Sequence, residues 1–170
     1  MKHILVILLL SVSFRTALAS DFRTVDFGET CYVVPGKEKI LGSLRNEGSG
    51  AEHQEYRGLY LDREAKIIYD CSDNGRFRRG TYIYDFNNID EASSFFNIAK
   101  QLLISKLGEP TLDATLQEHS SAMAEIGFKK EDGYMVRWQL NGVIVMLSAL
   151  RPSSHSEYAA VSIDFTRNGD

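Results

Sequence analysis

Residues 88–110 allow the backbone one economical reading. Ala92, Phe95, Phe96, Ala99, Leu102, Leu103 and Leu107 recur at three- and four-residue intervals, so a helix gathers them into a single apolar stripe. Ser94, Asn97, Lys100, Gln101 and Ser105 fall on the other side. Asn88 stands where a side-chain oxygen can accept from the first unpaired N–H groups, and Glu91 follows three residues later as in a capping box. Gly108 suits a positive-φ stop and Pro110 prevents continuation. The spacing predicts a helix over residues 89–107. One helix cannot bury its own stripe, so the rest of the chain must supply the surface that covers it.

Strand patterns on both sides of the helix provide that surface. Residues 56–61 and 66–71 read as strands joined by the polar Asp62-Arg63-Glu64-Ala65. Ser72-Asp73-Asn74-Gly75 contains an Asn-Gly pair, the strongest short-range hairpin signal. In residues 80–86, Tyr82, Tyr84 and Phe86 alternate with Thr81, Ile83 and Asp85. Beyond the helix, residues 123–129 read as a strand, then 134–140 with Tyr134, Val136, Trp138 and Leu140 on one face. Asn141-Gly142 turns the chain into residues 143–147, apolar on both faces, and residues 158–165 turn Ala159, Val161, Ile163 and Phe165 inward. Residues 27–44 are ambiguous: Pro35-Gly36 interrupts them, with a short strand or helical turn expected on either side. Residues 46–50 form a polar Gly/Ser loop. The predicted fold class is α+β, an antiparallel sheet from two β-meanders with one long helix packed across it.

The first nineteen residues lie outside that pattern. Lys2 and His3 precede an unbroken apolar run at residues 4–10, and Ala17-Leu18-Ala19 ends the segment with small residues. A short positive start, an apolar stretch below bilayer-spanning length and an A-x-A site describe a secretory signal peptide. Residues 1–19 are therefore expected to be a signal peptide and residues 20–170 one globular domain. Removing the leader takes Lys2 and Arg15, leaving 17 basic against 23 acidic residues of the original 19 and 23, a formal charge of −6. So acidic a chain has no general attraction for phosphate backbones, and nucleic acid is not an expected partner. No second apolar run is long enough to span a bilayer, and the mature start carries no cysteine for a lipid anchor. The expected location is periplasmic or secreted. In that oxidising setting the two cysteines, Cys31 and Cys71, are expected to pair.

Most of the polar constellations fall short of a site. Asp70-x-Ser72-x-Asn74-Gly75 begins like a calcium loop, but Thr81 occupies the twelfth position, where a bidentate Glu is needed. A hairpin turn is the better reading. His53, His119 and His155 are far apart in sequence and sit in polar, loop-like stretches; metal sites need such ligands grouped. A weak surface site at His53, between Glu52 and Glu55, is outweighed by a solvated loop histidine, and neither metal nor cofactor is expected. No G-x-S-x-G elbow or S-x-x-K occurs, and Ser153-Ser154-His155-Ser156 reads as a linker. No catalytic residue is singled out.

Two surface features remain. Arg76, Arg78 and Arg79 form a basic cluster around Phe77, suited to an acidic partner or an anionic glycan and otherwise a solvated hairpin tip. Tyr56, Tyr60, Tyr69, Tyr82 and Tyr84 gather in the first meander. They can line a binding face or simply pack the sheet. The helix end Leu107-Gly108-Glu109-Pro110 ahead of a Trp-bearing hairpin resembles small exported α+β domains of bacteria over about half of the mature chain, and implies no activity. The expected function is a non-catalytic binding protein whose partner is another protein, such as an inhibitor or immunity-type protein of the bacterial envelope. Arg76, Arg78, Arg79, Tyr82 and Tyr84 are its candidate contacts. The alternative is a small cofactor-free hydrolase of wall or glycan material, using paired acids or His119 and His155.

Overall fold

The computed structural model describes residues 21–115, 133–150 and 159–168. A 3-10 turn at Cys31–Val33 leads into helix α1 (Val34–Ile40), then strands β1 (Leu44–Arg45), β2 (His53–Tyr60), β3 (Arg63–Cys71) and β4 (Phe77–Phe86). Helix α2 (Ile89–Leu107) follows, then β5 (Leu112–Thr115), β6 (Gly133–Leu140), β7 (Val143–Leu150) and β8 (Ala159–Arg167). All eight strands belong to one antiparallel sheet in the order β1-β2-β3-β4-β8-β7-β6-β5. The central join is β4 against β8, which pairs Tyr82 with Ile163 and Tyr84 with Val161. The expected strand at residues 123–129 lies outside the described residues.

Helix α2 begins and ends as its sequence requires. The Asn88 side chain accepts from the Glu91 N–H at 2.9 Å, and Gly108 takes a φ of 85°. Ala92, Phe95, Phe96, Ala99 and Leu103 are buried against β4, β6, β7 and β8. Phe95, Phe96 and Leu103 each contribute about 1.5–3 kcal/mol by leaving water. Leu102, placed by spacing in the buried stripe, is 38% exposed at its margin. The Trp138 indole N–H donates to the Gly108 carbonyl at 2.8 Å and pins the end of the helix to β6.

The helix covers only part of the inner face. Over β2, β3 and the first half of β4 the cover is the segment of residues 21–30 and α1. Phe22 sits 1% exposed among Tyr69, Phe77, Tyr82 and Phe165, with ring centroids 4.8–5.7 Å away. Tyr82 meets Phe22, and Tyr84, two residues on, meets Phe95 of α2 at 4.4 Å. Strand periodicity thus puts both covers on one side of the sheet. A buried charge cluster locks the segment down: Arg23 donates to Glu38 Oε1 at 2.8 Å, to the Leu59 carbonyl at 3.0 Å and to Ser43 Oγ at 3.1 Å. The Tyr69 hydroxyl donates to the same Glu38 oxygen. Glu38 is 0% exposed and its second oxygen has no partner, so losing Arg23 would strand a carboxylate in the core at a cost of about 3–5 kcal/mol.

Three local expectations are corrected. Pro35-Gly36 does not interrupt the chain, because Pro35 falls in the first turn of α1, where its missing N–H has no bond to lose. The β2–β3 connection is not the four residues 62–65 but Leu61 and Asp62 alone, at φ 52° and 59°. Ala65 is buried and Arg63 already pairs with Tyr60, so polarity misplaced that turn. Strand β4 starts at Phe77 instead of residue 80. Cys31 and Cys71 form the expected disulfide, with Cα atoms 6.4 Å apart. No helix among the described residues is long and apolar enough to cross a membrane.

Candidate functional site

With one face of the sheet committed to the core, the outer face holds the polar groups. Register aligns them across five strands: His53 opposite Asp70, Asp70 opposite Arg79, Thr81 opposite Asp164, and Ser162 opposite Ser148. Near its centre, Asp164 is 5% exposed. Its Oδ1 accepts from Arg79 at 2.7 and 3.2 Å and from Thr81 Oγ1 at 2.8 Å. Its Oδ2 accepts from Ser162 Oγ at 3.1 Å, and Ser162 meets Ser148 Oγ at 2.8 Å. Arg79 also lies 4.0 Å from Asp70. A carboxylate this buried is tolerable because three donors replace its water.

His53 continues the line toward β1. Its Nδ1 is 2.6 Å from Asp70 Oδ1 and its Nε2 is 3.1 Å from Glu55 Oε1. A neutral imidazole has one N–H to donate, so only the imidazolium satisfies both carboxylates. The Asp70 hydrogen bond is the main reason the ring's pKa is raised; partial burial opposes it and Glu55 adds to it. Asn46 Nδ2 donates to Glu55 Oε2 at 3.0 Å and is the first cause holding that carboxyl below its usual range. His53 therefore belongs to β2, with a defined pair of partners, and is not the solvated loop residue that its polar neighbours suggested.

The five contact residues expected from sequence separate into three groups. Tyr82 and Tyr84 are 1% and 0% exposed. A partner cannot touch them, and their place as contacts is corrected: strand alternation turns both into the core beside Phe22 and Phe95. Burial first, and then the neighbouring Tyr60, pushes both hydroxyls well above the ordinary tyrosine value. Arg76 and Arg79 are at the surface but engaged. Arg76 donates to the Gly28 carbonyl at 3.2 Å, and Arg79 serves Asp164.

Arg78 is different. Cys71 pairs with Phe77 and Asp70 with Arg79, so Arg78 is the extra residue of a β-bulge. It is exposed, and its side chain makes no hydrogen bond or ion pair among the described residues. A bulge re-aims a side chain at a strand end, and nothing in the local alternation of residues 76–80 marks where the extra residue falls.

The chemistry of this face is that of an ordered surface. The hydroxyls of Thr81 and Ser162 donate to Asp164, and His53 is held by acids on both sides. Among the described residues, no three or more His, Cys, Asp or Glu side chains are grouped to hold a metal ion. His119 and His155, on which the hydrolase alternative draws, lie outside the described residues, as does Ser153-Ser154-His155-Ser156. No protein-family model matches the chain, and no curated protein or solved structure matches it.

Proposed function

We propose that this protein is an exported, non-catalytic binding module that recognises another protein, in the manner of an inhibitor or immunity-type protein of the bacterial envelope, with Arg78 as an anchor of the contact. The observation that carries this reading is the unequal use of the three arginines. Arg76 and Arg79 are bound within the molecule, while the bulge leaves Arg78 exposed with its guanidinium unpaired among the described residues. The ordered line from Asn46 to Ser148 supports the reading, because a surface already fixed by its own hydrogen bonds loses little entropy on docking. Export is supported by the leader-like residues 1–19 and by a disulfide of the kind that persists in oxidising compartments.

The test is affinity capture from the native envelope and medium, with wild type and Arg78→Glu run in parallel under crosslinking. One stoichiometric protein retained by wild type, and held at least about 10-fold more weakly by Arg78→Glu at unchanged Tm, is the expected result. A partner held equally by both proteins removes Arg78 from the contact. Absence of any protein partner overturns the binding-module reading.

A further inference from the structure

Beyond the Arg78 surface, the molecule has a second built feature beside the disulfide. A hollow of about 280 Å³ opens between the 51–54 segment and the 72–75 turn, lined among others by Tyr32, Glu52, Gln54, Ser72, Asp73 and Asn74. We propose that it is a receptor for a cationic group, a guanidinium or ammonium.

Three observations carry this. First, the walls come from distant parts of the chain and are fastened to one another. The disulfide joins Cys31 to Cys71; the Cys31 N–H donates to Gly75 and the Cys71 N–H to Glu52, at 2.9 and 2.8 Å. The buried Gln54 amide donates to the Cys31 and Ala51 carbonyls at 3.1 and 3.3 Å. A hollow framed this way exists before any ligand arrives.

Second, its lining charge is of one sign. Among the described residues, Glu52 and Asp73 make no hydrogen bond or ion pair through their side chains, and no lysine or arginine lines the hollow. His53, next to Glu52 in sequence, turns its ring to Asp70 and Glu55, and Arg76 directs its guanidinium to Gly28.

Third, Tyr32 stands 85% exposed, held on the 3-10 turn next to the bridged Cys31. A hydrophobic ring left in water beside two uncompensated carboxylates is the pairing that cations select, through charge and through the ring face.

The test is a 15N–1H NMR titration of the oxidised, exported protein with N-acetyl-arginine methylamide. N-acetyl-citrulline methylamide serves as the uncharged isostere and spermidine as a free amine. Saturable shifts at Tyr32, Gly75 and the Gln54 side-chain amide with the arginine compound, and none with citrulline, are expected. Tyr32→Ala should weaken binding about 5-fold while Tyr32→Phe keeps it, because the ring face and not the hydroxyl is used. Glu52→Gln combined with Asp73→Asn should weaken it at least about 10-fold. Tighter binding of the arginine compound points to a side chain presented by a protein, and tighter binding of spermidine to a free amine. Equal binding of citrulline, or shifts elsewhere on the surface, overturns the proposal. Arg78→Ala should not weaken this binding, so the fate of the Arg78 surface and that of the hollow are separable.

Discussion

Gly80 shows how a single residue sets the N-terminal half of the core. A Cβ built there would lie 2.3–2.5 Å from three atoms of the Phe22 ring. That ring is enclosed by four aromatic neighbours and has nowhere to retreat. Gly80→Ala should therefore displace Phe22 and lower stability by about 1–3 kcal/mol; denaturant melts read this, and an unchanged midpoint would mean that the N-terminal segment is not docked as described. His53 acts at the same scale through charge. Its pKa is raised from 6.5, so its contribution is fully present below the unfolded value and is lost as pH rises through the folded one. The Tm difference between wild type and His53→Gln should be largest near about pH 5.5 and shrink toward about pH 8.5. The ring is half exposed, so solvent keeps the effect small; a gap that widens with pH would contradict the imidazolium bridge.

At the scale of elements, the sheet depends on covers that come from far away in sequence. The disulfide holds the 3-10 turn and the start of α1 to the end of β3 across a separation of 40 residues. Closing a loop of that size stabilises the fold by about 4 kcal/mol through the unfolded chain. Reduction, or Cys31→Ser with Cys71→Ser, should lower stability by about 2–4 kcal/mol. Hydrogen exchange should rise first in 21–40 and 71–77, while α2 retains its protection; uniform loss across α2 would contradict a local role. Helix α2 depends less on the disulfide because its cap and its stop are local and its packing is against β4, β6, β7 and β8.

The described residues form an asymmetric sandwich: one sheet, a packed inner face shared by two covers, and an outer face wired by polar side chains. Its tyrosines report the integrity of the packed side. Burial, and then the Glu38 carboxylate, pushes Tyr69 far above the usual value of 10.0, and Tyr82 and Tyr84 are raised by burial as well. A spectrophotometric alkaline titration should find these three silent until the fold itself opens, their ionisation then coinciding with loss of far-UV signal. Ionisation of all tyrosines near about pH 10 in a folded protein would contradict this core.

Sequence alone determined what depends on near neighbours. The helix over 89–107, the Asn88 cap, the Gly108 stop and the turn at Asn141-Gly142 all follow from residues within four positions of each other, where hydrogen-bond partners are dictated by spacing. The cysteine pair was legible by count, since two cysteines in one chain have one way to pair with each other. Tertiary structure decided the remainder. Whether Tyr82 and Tyr84 faced a partner or the core turned on Phe22 and Phe95, which approach from separate segments. The line through Asp164 exists only because β8 docks beside β4, bringing together carboxylate and guanidinium 85 residues apart. Arg78 became distinct from Arg76 and Arg79 when the register of β3 left it without an opposite number. Cross-strand neighbours are chosen by register and burial, and those are settled only when the whole sheet closes over its core.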